Sequence, residues 1–156
     1  MNKFILIFFC MLITSCKASE SFTSVFKPQF ETVFFGVVQK QLIVDQELPN
    51  HVQKLLFQWF DHKVKIDGFD GDVKITVSNF SQDISSINDG KRVDISMSFE
   101  VVLNNPSLSQ KKFIEGNISS YGTLTGNFSL NEFDNVIQNT QSDLILRLSK
   151  DLKSKI

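Results

Sequence analysis

The side chains best placed to do chemistry in this sequence are its two thiols. Cys10 lies inside the apolar run Phe4–Ile13, and Cys16 follows Ile13-Thr14-Ser15, an aliphatic residue and two small ones. The two histidines, His51 and His62, are eleven residues apart. That is not the i, i+4 spacing of a helical zinc pair, and both read as solvated helix positions. Asp67, Asp70 and Asp72 fall in the run Asp67-Gly68-Phe69-Asp70-Gly71-Asp72 and invite a calcium reading. The alternating acids, central glycine and distant glutamate of a calcium loop are absent, so the run reads as a turn. There is no glycine-rich phosphate loop and no G-x-S-x-G elbow. Carboxylates that pair only in space are invisible at this level. With two histidines and one tyrosine, general acid–base candidates are few, and the expectation is a non-catalytic protein without metal or cofactor.

Cys16 is the position with a definite chemistry. Met1-Asn2-Lys3 supplies a positive start and Phe4–Ile13 ten consecutive apolar residues. Ten helical residues rise only about 15 Å, half the roughly 30 Å of a bilayer core, so the run is too short to span. A charged start and a short apolar core are the layout of a secretory signal. Ile13-Thr14-Ser15-Cys16 then reads as a lipobox, with cleavage between Ser15 and Cys16 and a diacylglycerol on the sulfur. The bland alternative is an ordinary signal peptide with a chance cysteine near its cut site. Two or three acyl chains, at about 0.8 kcal/mol per buried methylene, make a lasting anchor. Cys10 leaves with the leader and Cys16 becomes a thioether, so the mature chain keeps no thiol for a disulfide, a metal or a nucleophile. Lys17, rather than aspartate, follows the lipidated cysteine, which suits sorting to the periplasmic face of the outer membrane in a Gram-negative bacterium. Three N-x-S sequons, at Asn79, Asn117 and Asn127, read as coincidence under a bacterial lipobox.

What remains after the leader is an ordinary globular composition. The 156 residues are 42% hydrophobic and 21% charged, with 16 basic and 17 acidic side chains. Those fractions exclude wholesale disorder and a polytopic membrane protein. A net charge of −1 gives no basic footprint for nucleic acid. The organisation expected is a leader over 1–15, an anchor and tether over 16–24, and one domain over 25–156.

The pattern within that domain alternates between two periods. Thr32–Val44 is rich in Val, Phe and Ile and reads as a strand, broken near Gly36. Val52, Leu55, Leu56, Trp59 and Phe60 share one helical face, with Asp45 as a cap or Pro49 at the first helical position. Val73, Ile75 and Val77 then alternate with polar residues. Val93, Ile95, Met97, Phe99, Val101 and Leu103 do so over about a dozen residues, a strand near 40 Å long with one wet face. Asn88-Asp89-Gly90-Lys91 reads as the hairpin turn between them. Asn104–Gln110 is a second turn and Lys111–Tyr121 a third strand. Ser129 and Glu132 fit a capping box, Phe128 and Phe133 a hydrophobic staple, and Phe133 to Leu152 a helix ending in Lys150, Lys153 and Lys155. The order β-α-β-β-β-α predicts an α+β two-layer sandwich, about four strands with two helices on one face.

On these features the chain resembles the LPS-assembly lipoprotein family (LptE), the lipoprotein subunit of the outer-membrane lipopolysaccharide (LPS) translocon. Ten residues after the lipobox cysteine, Phe26-Lys27-Pro28-Gln29-Phe30 is similar to the G-F-[KR]-P-L-Y element of many alphaproteobacterial members, with Val25, Gln29 and Phe30 in place of Gly, Leu and Tyr. The element order, the turn Ile87–Arg92 ahead of a long alternating strand, and the stretch Ser120-Tyr121 to Phe128-Ser129-Leu130 ahead of the last helix also match. The resemblance implies a plug inside a β-barrel of the LptD type, aiding the barrel's assembly and LPS transport. The family's basic residue at the strand tip falls on Asn88 here. Lys91 and Arg92, next to it, are left as the candidates for LPS phosphate, the alternative being charges that protect a solvated turn. A second reading is a stand-alone periplasmic lipoprotein that binds a lipid or serves an ABC-type transporter.

Overall fold

The structure is a computed structural model, and it describes residues 29–156. The leader, Ser15, Cys16, the tether and the first part of the Phe26–Phe30 element lie outside these residues. The described chain is an α+β domain with two helices and two sheets, one of four strands and one of two.

The strand expected over Thr32–Val44 is two strands. β1 (Val33–Phe35) and β2 (Gln39–Val44) are separated at Gly36–Val38 and join different sheets. After β2 comes α1 (Asn50–Lys63), then a short β3 (Val64–Ile66), an element absent from the expected order. β1 and β3 pair in parallel, Val33 beside Val64. The main sheet follows with β4 (Asp72–Ile87), β5 (Gly90–Asn105) and β6 (Gln110–Thr125), sixteen residues each, ordered β2-β4-β5-β6. A 3-10 turn, Pro106–Leu108, links β5 to β6, and α2 (Leu130–Lys155) ends the described chain. β2 lies parallel to β4, since α1 carries the chain back across the sheet, while the later pairs are antiparallel.

One face of the sheet is dry. Val73, Ile75 and Val77 of β4 and Val93, Ile95, Met97, Phe99 and Val101 of β5 are buried together with Trp59 and Leu56 of α1 and Leu144, Leu148 and Leu152 of α2. Both helices therefore cover the same side. The parity of β4 changes midway. Asn79 takes φ of 53° in a bulge, so that Asn79 and Phe80 together oppose Met97. Beyond it Phe80 and Gln82 take over the inward positions that odd-numbered residues held before, and Gln141 of α2 donates to Gln82 at 3.1 Å.

The helix ends are held in two different ways. Ser129 Oγ accepts from the Glu132 amide at 3.3 Å while Glu132 accepts from the Ser129 amide at 2.7 Å, the expected capping box. Phe128 and Phe133 stack at 6.1 Å between ring centroids, as a staple should. At α1 the N-cap is Pro49, one residue before the position expected for it, and no side chain caps the helix; Asp45 is not involved. The C-terminal end of α1 is tied by Lys40 of β2. Its Nζ donates to the Phe60 and Val64 carbonyls at 2.8 and 2.7 Å, where a cation meets the negative end of the helix dipole. Gly122 of β6 lets α2 approach, since a Cβ there would run into Val136 and Thr140.

Leu148→Ala, which empties a fully buried site, is expected to cost about 3 kcal/mol in urea unfolding. Ser129→Ala, which removes one cap, is expected to cost about 1 kcal/mol. Equal losses for the two would contradict this division between core and cap.

Candidate functional site

The basic pair at the hairpin is built on the β4–β5 turn. Ile87 pairs with Gly90, so the turn consists of Asn88 and Asp89, and Gly90 belongs to the strand rather than to the turn. Glycine is needed there because a Cβ would collide with the Leu124 carbonyl of β6. Lys91 and Arg92, being consecutive in a strand, project to opposite faces. Lys91 Nζ donates to Ser86, its neighbour across β4, at 2.8 Å. Arg92 lies on the uncovered face and grips Asp94 with three hydrogen bonds of 2.7–3.0 Å. Its guanidinium also stacks 4.6 Å from the centre of the Tyr121 ring. The hydrogen bond from Arg92 holds the Asp94 carboxyl below the usual carboxylate range. The structure thus does not bring the two cations together on one surface, and Arg92 already has a carboxylate partner. An Arg-x-Asp pair in an alternating strand was the available signal, because residues i and i+2 share a face.

The uncovered face of the sheet is a second candidate surface. It carries short polar side chains, among them Ser81, Ser85, Ser96, Ser98, Asn117 and Ser119. Ser98 donates to Asn117 at 2.7 Å and receives from Asn79 at 3.3 Å, a chain of hydroxyl and amide groups across three strands. Among the described residues β6 pairs only with β5, and β4 pairs with β2 only as far as Val77. Both sides of the sheet toward the hairpin therefore present unpaired strand edges. Beside the β6 edge is a cleft of about 390 Å³, lined by Tyr121, Gly122 and Thr123 of the strand and Val136, Asn139, Thr140 and Asp143 of α2. Asp143 is partly buried, which opposes ionisation. Hydrogen bonds from Ser120 and Arg147 outweigh that and keep its carboxyl below the ordinary value.

The remaining candidates have structural duties. Asp70 accepts from the Gly71 amide and from Ser107 Oγ, fastening the 67–71 loop to the 3-10 turn. Among the described residues no three His, Cys, Asp or Glu side chains are grouped to hold a metal ion. His62 is exposed, as expected for a solvated helix position, but His51 is not: it is half-buried and its Nε2 has no hydrogen-bond partner among the described residues. Burial, helped by Lys54, lowers its pKa.

No family model matches the chain, and no curated protein matches it in sequence. Solved structures similar to it include a minor lipoprotein from Acinetobacter baumannii, at a TM-score of 0.49 and 10% identity over 77% of this chain and 92% of that one. Rare lipoprotein B from Shewanella oneidensis gives 0.48 and 13%, over 76% and 98%. Lipoprotein B from Nitrosomonas europaea gives 0.46 and 9%, over 83% and 91%. Among the described residues no helix is long and apolar enough to cross a membrane.

The His51 environment sets a pH dependence. Its folded pKa lies below the unfolded one, so its neutral form stabilises the fold above the unfolded pKa. That contribution is lost as pH falls from about 6.5 through the folded value. His51→Gln should flatten the fall in urea midpoint between about pH 7 and 5; an unchanged slope would mean that His51 titrates normally.

Proposed function

We propose that this chain is a non-catalytic outer-membrane lipoprotein that plugs an LptD-type β-barrel, assists its assembly and contributes to LPS transport to the cell surface. Cleavage between Ser15 and Cys16 would leave Cys16 as the lipid-bearing N-terminus, held at the periplasmic face of the outer membrane. No cofactor is required beyond that covalent lipid.

The observation that carries this reading is the uncovered sheet face. Three sixteen-residue strands side by side present a face with nothing from the described chain laid over it, short hydroxyls and amides at its middle (Ser81, Ser96, Ser98, Asn117, Ser119) and longer side chains such as Glu100, Glu115 and Tyr121 around them. A barrel lumen is polar, so a plug must be polar on the outside and rich in groups that pair with lumen side chains. The short side chains at the middle of the face let a lumen wall come close to the sheet there. The unpaired edges of β6 and of β4 beyond Val77 add main-chain donors and acceptors of the kind that join one protein's strand to another's. In this reading the hairpin enters the lumen. Lys91 is the better placed of the two cations to meet an LPS phosphate, because Arg92 must first give up Asp94.

Crosslinking of the lipidated protein in native membranes is expected to recover a large outer-membrane barrel. Recovery of inner-membrane components alone would sink the plug reading in favour of a stand-alone or transporter-linked lipoprotein. For the tip, Lys91→Ala is expected to reduce LPS retention more than Arg92→Ala; equal retention by both variants and the parent would remove the hairpin from the pathway.

A further inference from the structure

Exposed large apolar side chains occur at both ends of the domain: Ile84, Ile87, Tyr121 and Leu130 toward the hairpin, and a second group, with the most exposed of all, at the opposite end. Phe69 is fully exposed, Leu108 is 63% exposed and Phe34 59%, and Val38, Phe113 and Ile156 are exposed with them. They come from segments far apart in sequence that the fold ties together. The backbone of Asp67 and Gly68 bonds to Phe35 and Val37, the Val38 amide to the Gly71 carbonyl, and Ser107 to Asp70. Ile156 lines two adjoining clefts. One, of about 400 Å³, includes Phe30, Phe34 and Lys153. The other, of about 490 Å³, includes Phe35, Ile114, Lys111 and Lys112. Lys65 stands beside Phe34 on the β1–β3 pair.

The described chain begins at this same end. The Glu31 amide donates to Ser149 Oγ, and Glu31 pairs with Lys153 at 2.8 Å, both near the C-terminal end of α2. Thirteen residue steps separate Cys16 from Gln29, a reach of about 45 Å at full extension. A lipid on Cys16 therefore tethers the domain from this end.

We infer that this end is a membrane-contact surface, in which Phe69 and Leu108 enter the headgroup region of the bilayer and Lys65 and Lys111 meet lipid phosphates. The inference rests on the lipid anchor proposed above. A few apolar side chains bind a bilayer weakly alone; a tether that keeps them within reach turns the contact into a second, intramolecular signal. Aromatic rings suit the interface, and lysine stems cover apolar surface while their ammonium groups stay wet. The loop acids are partly engaged within the protein, Asp70 with Ser107 and Gly71, and Asp72 with Asn104. The contact fixes the orientation of the domain as well. β4 starts beside Phe69 and runs sixteen residues to Ile87, so the hairpin stands roughly 50 Å from the bilayer-facing loop.

The test uses the full lipidated chain in vesicles of phosphatidylethanolamine and phosphatidylglycerol with brominated acyl chains. The native Trp59 is fully buried and serves as a constant background. The added indole of Phe69→Trp or of Leu108→Trp is expected to shift to the blue and lose emission to the bromines, whereas that of Ile87→Trp keeps both. Unaltered emission from both loop variants, in protein that floats with the vesicles and carries the lipid by mass, would overturn the contact surface while leaving the anchor intact. A chain that neither carries lipid nor floats would overturn the anchor and this inference together.

Discussion

Everything in this domain depends on keeping one side of β5 dry. Val93, Ile95, Met97, Phe99 and Val101 are at most 2% exposed along a strand whose alternate side chains, Arg92 to Glu100, lie on the uncovered face. A central strand that long can be covered only by elements of comparable length. α2, at 26 residues and about 39 Å, supplies most of the cover and α1 the rest. The two helices must therefore share a face, and the opposite face is left bare. β4 meets the same demand by a bulge. Without the extra residue at Asn79, the inward positions after Val77 would fall on Asn79, Ser81 and Asp83, and the polar parity of the strand would point into the core.

Burial also explains how the helices are fixed. The C-terminal half of α2 is seated by the fully buried Leu144, Ile145, Leu148 and Leu152, while its N-terminal half is seated by the partly buried Phe133, Val136 and Ile137, with hydrogen bonds between Gln141 and Gln82 and between Ser120 and Asp143 at the middle of the helix. Apolar burial is complete where α1 also packs and becomes partial toward the hairpin, beyond the reach of α1. Lys40 completes the α1 side. It is a lysine on an inward-facing position that is tolerated because two helix-end carbonyls and the Phe60 ring receive its ammonium. Burial lowers its pKa and the nearby Asp61 opposes that.

The candidate surfaces follow from the same layout. A sheet covered on one side has a polar face to offer, and a sheet with β6 at its border has an edge to offer. Arg92, which by composition belongs to a basic tip, is drawn into a pair with Asp94 because alternation places both on that bare face. Phe34, Phe69 and Leu108 are drawn toward the other end because the β1–β3 pair, the 67–71 loop and the 3-10 turn all meet there. In this arrangement the polar face, the hairpin and the apolar end occupy separate parts of one surface, each with its own chemistry.

The amino-acid sequence by itself determined the elements whose signals are local. Period-two alternation marked β5, the Ser129–Glu132 box and the Phe128–Phe133 staple marked the start of α2, and the i, i+3, i+4 stripe marked α1, because propensity, capping and one-sided burial act within a few residues. Only the tertiary structure decided matters of pairing. The division of Thr32–Val44 between two sheets, the parallel placement of β2 and the existence of β3 depend on partners twenty or more residues away. The half-burial of His51 and the capture of Arg92 depend on what packs beside them. The meeting of Phe34, Phe69, Leu108 and Ile156 at one end has the same cause: neighbours across a sheet are set by register, and a local pattern carries no record of the strand it will meet.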